Sequence, residues 1–419
     1  MEATSEEIRH FYERRPYPAP LTSLDGHRDL YSNRERSRAL FHLMWPADPA
    51  REDLDILVAG CGTSQAARYA LREPRSRVTA VDISDTSLRC TRDLQQKYGL
   101  GNLELHRLSI EDIGQLDRTF DQIVCTGVLH HLPEPDVGLQ ALRDVLRPNG
   151  AMHLMVYAPY GRAGIYMIQE YCRVLGVDAS DEDLNDLAAT LDALPADHPI
   201  AGMMRATKDF RHPDTLADAL LHPIDRAYTV AQVHAWLTRC GLSFARWLEQ
   251  APYSPLCGML AKTPHAERLA SLPALVQHAA VELFRGTMTR HSLIAHRDDH
   301  DASRHVITFA SERWREYVPL VLPWTVCIRD RHPPGAVAVL INRAHPFPDL
   351  ALVVDSFEDQ LLAVIDGKRT IAAILEKANV SNADLERARR FFETLWLYDQ
   401  VVFDTSHCII PPEPIAAAS

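Results

Sequence analysis

Asp55-Ile56-Leu57-Val58-Ala59-Gly60-Cys61-Gly62-Thr63-Ser64 is a short apolar run that ends in a glycine turn. An unbroken apolar run of this length reads as a strand buried on both faces of a parallel sheet. Gly60 and Gly62 let the chain turn and let a ligand approach the main chain. Gln65–Leu71 then continues as a helix, whose first amides can receive an anion. Taken alone, the pattern suits a plain tight turn, or a nicotinamide or flavin site, equally well.

The residues downstream repeat the alternation. Arg77–Val81 is a second strand closed by Asp82, and Leu88–Tyr98 a second helix. Leu103–Arg107, Phe120–Cys125 and Ala151–Tyr157 read as further strands, and the helix Val137–Leu146 stops at Pro148-Asn149-Gly150. Strands alternating with helices predict an α/β, doubly wound Rossmann-like core. In such a sheet ligands bind beyond the carboxyl ends of the strands, at the point where the strand order reverses. Asp82 ends its strand 20 residues beyond Gly62, where a carboxylate can accept both hydroxyls of a ribose. The plainer alternative is an aspartate that caps the following helix. With both features present, a nucleoside cofactor is the better reading.

The stretches Val58–Thr63, Ala80-Val81-Asp82-Ile83-Ser84, Phe120–Leu132 with its Leu129-His130-His131-Leu132, and Leu142–Gly150 occur in this order and spacing. Together they resemble the class I S-adenosylmethionine-dependent methyltransferase family over roughly residues 54 to 158. The resemblance implies that Gly60, Cys61 and Gly62 line the methionine part of S-adenosylmethionine, that Asp82 holds the ribose and that Ile83 packs on adenine. It also implies Ser109 and Ile110 at the adenine amine, with Thr126 and Gly127 beside the sulfonium. Two positions depart from the family pattern. Val58 stands where an acidic residue is usual, and Ser109 where an aspartate often meets the adenine, with Asp112 as a shifted alternative. A dehydrogenase of this architecture calls for a third glycine, which Ser64-Gln65-Ala66 does not supply. A catalytically weak regulatory protein that binds S-adenosylmethionine is the alternative from another functional class.

Because the sulfonium is already activated, the protein mainly aligns the acceptor with the methyl group and excludes water. A base is needed only where the acceptor must lose a proton, and the candidates are His130, His131, Tyr17 and His222. Each also has a structural reading, as a packed or capping residue. Tyr12, Tyr17 and Tyr31 form a candidate lid, and Asp225 stands beside His222 in a second one. Trp236 and Trp247 suit core packing.

The chain has 419 residues and a formal charge of −12, with 46% hydrophobic and 24% charged residues. These describe a globular protein of more than one domain with no surface for phosphate backbones. The polar start MEATSEEIRH and the lack of a long apolar run predict a cytoplasmic protein with no membrane partner. Eight scattered cysteines without a C-x-x-C pair argue against a metal site or a disulfide framework. The expected organisation is an N-terminal helical lid (1–45), the core (46–160 and 228–263), a helical insertion (161–227), a connector (264–304) and a smaller C-terminal α+β module (305–419). In the core, Leu242–Leu248 and Leu256–Ala261 are expected to close the sheet. The Asp366–Asp404 region weakly resembles the winged-helix modules related to the PqqD peptide-binding family. That implies a peptide partner, whereas the plain alternative is a dimerisation or supporting domain. The acceptor is thus left as a small molecule or a peptide, and a homodimer is left open.

Overall fold

The computed structural model describes residues 4–27, 34–207, 210–299 and 305–408. Tyr31, one of the three lid tyrosines, lies outside them.

Two helices precede the core, α1 (Ser5–Arg14) and α2 (Arg34–Met44). The Thr4 side chain accepts from the Glu7 amide and Glu7 reaches back to the Thr4 amide, a capping box that sets where α1 begins. The core then runs β1 (Asp55–Ala59), α3 (Gln65–Arg72), β2 (Arg77–Asp82), α4 (Asp85–Tyr98), β3 (Leu103–Arg107), β4 (Phe120–Thr126), α5 (Pro135–Val145) and β5 (Leu146–Tyr157). Gly99 ends α4 in a left-handed conformation, which a side chain would resist. Four insertion helices follow: α6 (Ala163–Leu175), α7 (Asp181–Asp192), α8 (Ala201–Ala206) and α9 (Pro213–Leu221). The chain re-enters the core through α10 (Val230–Arg239), capped by a Thr229/Gln232 box, and β6 (Leu242–Trp247). It continues into α11 (Ala266–Ala270), α12 (Ala274–Arg285) and β7 (Arg290–Arg297).

The seven strands lie in the order β3-β2-β1-β4-β5-β7-β6. Strands β1 to β5 pair in parallel, and β7 runs antiparallel between β5 and β6. The order reverses between β1 and β4, so the ligand crevice is expected above Gly60–Gly62 and Thr126–Gly127. One core cluster, including Leu57, Ile123, Leu142 and Trp236, covers one face of the sheet. A second, including Ile56, Val58, Ala66 and Leu94, covers the other.

Two expectations are corrected here. Residues 256–261 form turns rather than a strand, and the strand that completes the sheet is β7, within the stretch expected to be a connector. Its residues Arg290–Arg297 are nearly all buried, and every position from Arg290 to His296 pairs with β5. The polar letters hid it: His291 is bonded to Glu282 and the Tyr253 hydroxyl, which lets an imidazole sit in the core. In addition, α5 ends at Val145, and Pro148-Asn149-Gly150 belongs to β5 instead of a helix stop.

The C-terminal module carries β8 (Val318–Val321), β9 (Thr325–Ile328), β10 (Ala338–Asn342) and β11 (Leu352–Val354). It finishes with α13 (Ser356–Leu362), α14 (Ile371–Lys377), α15 (Leu385–Leu397) and β12 (Val401–Asp404). Strands β11-β10-β9 make one small sheet and β12-β8 another. The module has its own core around Trp314, Phe391, Phe392 and Phe403. It docks on α2 through Ala39, Leu43, Leu320 and Val402, and Arg38 donates to Asp404 at 2.6 Å. A second tie is Asp399, buried against Arg246 at 3.0 Å and accepting the Ala251 amide at 2.8 Å. No helix among the described residues is long and apolar enough to cross a membrane.

Candidate active site

A cavity of about 430 Å³ opens above the point where the strand order reverses. Its floor is the turn between β1 and α3. Gly60 and Gly62 take φ of +67° and +56°, and Gly127 takes +81°, conformations that favour glycine. Space gives a second reason. A Cβ on Gly60 would lie 2.4 Å from Val128 Cγ2, and one on Gly62 would lie 2.9 Å from the Tyr17 carbonyl oxygen.

Asp82, at the end of β2, accepts from the Gly62 amide (2.8 Å) and the Ser84 amide (2.9 Å). Each carboxylate oxygen keeps a lone pair for a further donor. Burial pushes its pKa up to about 6, against the amide bonds that favour the charged form. Gly60, Cys61, Gly62, Asp82, Ile83, Ile110, Thr126 and Gly127 all line this one cavity. Ser109 does not: its hydroxyl donates to Asp112 at 2.9 Å, while Leu108 and Ile110 face inward. Gln65, on the first turn of α3, donates to the Thr126 hydroxyl at 2.7 Å and ties the two halves of the floor together.

The roof comes from the N-terminal segment and the insertion. Ile8, Tyr12, Tyr17 and Pro18 line the cavity from above. The Thr63 hydroxyl donates to the Pro18 carbonyl at 2.8 Å, so the segment is fastened to the glycine turn itself. Phe11 is buried among Ile165, Leu187, Phe210 and Leu220, which fixes α1 to the insertion helices.

The candidate histidines separate clearly. His131 lines the cavity, and its Nδ1 lies 2.6 Å from the Ile224 carbonyl oxygen. A carbonyl only accepts, so Nδ1 carries the proton and neutral His131 keeps its lone pair on Nε2. Burial lowers its pKa to about 4. His130 is fully buried behind it, with no hydrogen-bond partner for either ring nitrogen and its ring 4.0 Å from that of Tyr157. Burial holds it well below the ordinary histidine range. His222 packs on His131 at 3.9 Å and lies with its Nδ1 2.5 Å from the same Ile224 carbonyl oxygen, outside the cavity lining. Of these histidines, only His131 faces the space where a ligand would lie.

Two residues at the far end, Arg162 and Asp218, gave no signal in the sequence pattern. Arg162, just before α6, donates to Asp225 at 2.6 Å, with both side chains buried, and its guanidinium lies 3.5 Å over the Tyr157 ring. Asp225 is therefore a structural partner of Arg162 and does not line the cavity. Asp218 on α9 is 2% exposed, faces the cavity and accepts from the Tyr12 hydroxyl at 3.2 Å. Asp218 and Arg162 sit in an insertion that the sequence marks only as helical, and their burial rests on tertiary contacts with Tyr12, Tyr157 and Asp225. Trp236 and Trp247 stack on Tyr228 and Tyr253 within the core.

Residues 57–152 match the family model of the methyltransferase domain. An uncharacterised protein of Synechococcus is 29% identical over 296 residues, covering 69% of this chain and 70% of its own. A ubiquinone biosynthesis O-methyltransferase of Neisseria meningitidis is 23% identical over 157 residues, covering 34% of this chain and 57% of that one. The structure of PKMT2 from Rickettsia typhi in complex with AdoHcy superposes with a TM-score of 0.61 at 17% identity. That superposition covers 89% of this chain and 76% of that one. The fold is thus a Rossmann-like methyltransferase core with added domains.

Proposed function

We propose that this protein transfers a methyl group from S-adenosylmethionine, by in-line displacement, to a small-molecule or peptide acceptor. S-Adenosylmethionine is the cofactor. The observation that supports the reading best is the gathering of Gly60, Gly62, Asp82, Ile83, Thr126 and Gly127 around one cavity in a domain that matches methyltransferases. Asp82 takes the ribose hydroxyls, the glycine turn takes the methionine part, and Ile83 with Ile110 takes the adenine. Thr126 and Gly127 stand beside the sulfonium.

His131 is the group placed to receive the N–H, O–H or S–H of the acceptor. Its Nδ1 bond to Ile224 fixes the ring, so Nε2 turns the acceptor's lone pair toward the methyl carbon and takes up the proton where one must leave. Because its pKa is low, it stays neutral and available at every pH above about 5.

Isothermal titration with S-adenosylmethionine and S-adenosylhomocysteine, followed by measurement of S-adenosylhomocysteine formation, tests this reading. Saturable binding of both and turnover of the first are expected. Heat with NAD alone would overturn it, and tight binding without turnover would favour the regulatory alternative. His131→Asn should leave cofactor affinity within about threefold and lower turnover roughly 100-fold or more, the usual scale for a lost proton acceptor. An equal loss in affinity would make His131 a support for the cofactor instead.

A further inference from the structure

We propose that the acceptor is an amine, bound as an ammonium against the carboxylate of Asp218. This rests on the methyltransferase reading and adds the chemical class of its substrate.

Asp218 is a buried carboxylate that lines the cavity. It is 2% exposed and forms no ion pair with any Lys, Arg or His among the described residues. The nearby guanidinium of Arg162 is committed elsewhere, to Asp225 and to the Tyr157 ring. The hydrogen bond that Asp218 receives among the described residues comes from the Tyr12 hydroxyl, on Oδ1 at 3.2 Å. A buried carboxylate without a counter-ion is costly, and proteins either neutralise it or pair it. Burial indeed pushes its pKa up to about 7. A cation that enters the cavity supplies the missing partner.

Other hydrogen-bond acceptors share the cavity with Asp218. Tyr12, Tyr17 and Tyr157 line the same end of the cavity, and His131 offers Nε2. Asp218, the His131 lone pair and the phenol oxygens can each accept from an ammonium; Arg68, Arg162 and Arg290 also line the cavity, with Arg162 held by Asp225. An ammonium brings three donors to these acceptors, whereas a carboxylate ligand brings none.

The chemistry balances on this arrangement. The ammonium R–NH3+ passes one proton to Asp218, leaving R–NH2 and a neutral carboxylic acid. The amine nitrogen then directs its lone pair at the methyl carbon while a remaining N–H donates to His131. The N–C bond forms as the C–S bond breaks, and the bonding pair stays on sulfur. The products are R–NH2+–CH3 and the neutral thioether S-adenosylhomocysteine. The donor itself carries an ammonium, so the test must distinguish the two amines.

The experiment uses the full chain, first shown by calorimetry to bind S-adenosylhomocysteine and then saturated with it. Titration with n-butylamine, butan-1-ol and sodium butyrate, followed by tyrosine fluorescence or NMR, should show saturable binding of the amine at least tenfold tighter than of the alcohol or the acid. Asp218→Asn, close in shape, should erase that preference while cofactor affinity stays within about twofold. Equal binding of the three probes, or no amine binding at 100-fold excess over the alcohol control's detection limit, overturns the proposal and leaves the methyltransferase reading standing. If Asp218→Asn weakens S-adenosylhomocysteine binding tenfold, the carboxylate serves the donor's ammonium and the proposal also fails. The selectivity of the unaltered chain decides the matter even if the variant does not fold.

Discussion

Asp82→Ala is expected to raise the Kd for S-adenosylmethionine roughly 100-fold or more, because the two ribose hydrogen bonds proposed for this carboxylate would be lost at about 1.5–3 kcal/mol each. The same change removes the acceptor of the Gly62 and Ser84 amides, so the glycine turn loses part of its preorganisation. Isothermal titration checks both the loss and its pH counterpart. The folded carboxyl has its pKa raised from 3.8 to about 6 by burial. Between roughly pH 4 and 6 the ligand-free native state therefore holds more protons than the unfolded chain, and stability falls as pH rises through that window. Cofactor binding uses the charged form and runs the other way: affinity should rise from pH 5 to 7 and flatten above. A flat profile in the Asp82→Asn variant would assign the effect to this group; an unchanged slope would assign it elsewhere.

The second large effect concerns stability. Arg162→Ala leaves Asp225 buried and unpaired, which costs about 3–5 kcal/mol in comparable ion pairs. Gln169 still donates to Asp225 Oδ2 at 2.8 Å, but a neutral amide does not replace the lost charge, and Oδ1 has no partner. Thermal unfolding of the ligand-free chain should therefore show a drop of several degrees. Replacing both partners at once, Arg162→Met with Asp225→Leu, should recover much of it, because the unpaired charge disappears with the pair. If the double variant is as unstable as the single one, the guanidinium stabilises mainly through Tyr157, over which it lies at 3.5 Å.

Much of the core was legible because its signals are local. Asp55–Ala59 and Leu103–Arg107 match the observed strands at both ends, since an apolar run bounded by turn residues has few other ways to bury itself. The glycines announce themselves through the conformations that only they adopt easily. β7 was not legible, because a strand that reads Arg-His-Ser-Leu-Ile-Ala-His-Arg is apolar only after Glu282, Tyr253 and the Gly150 carbonyl have satisfied its histidines. The same reason hid the far end of the cavity. Asp218 and Arg162 are polar letters in an insertion that the sequence marks only as helical; Tyr12, more than 200 positions earlier, decides the burial of the first, and Asp225 that of the second. His131 and His130 are adjacent and identical in the sequence. Only the Ile224 carbonyl, 93 positions away, distinguishes the one that faces the cavity from the one that does not.

The Thr63–Pro18 bond and the Tyr17 carbonyl above Gly62 also have a bearing on time. The roof over the donor is main chain, clamped at the glycine turn and held by Phe11 in the insertion. If the donor binds beneath it, as proposed, exchange of spent for fresh donor is expected to require that clamp to lift, a motion slower than side-chain rotation and sensitive to solvent friction. In rapid mixing, the first methyl transfer should run ahead of the steady rate, and added glycerol should slow the later turnovers while leaving the first unchanged.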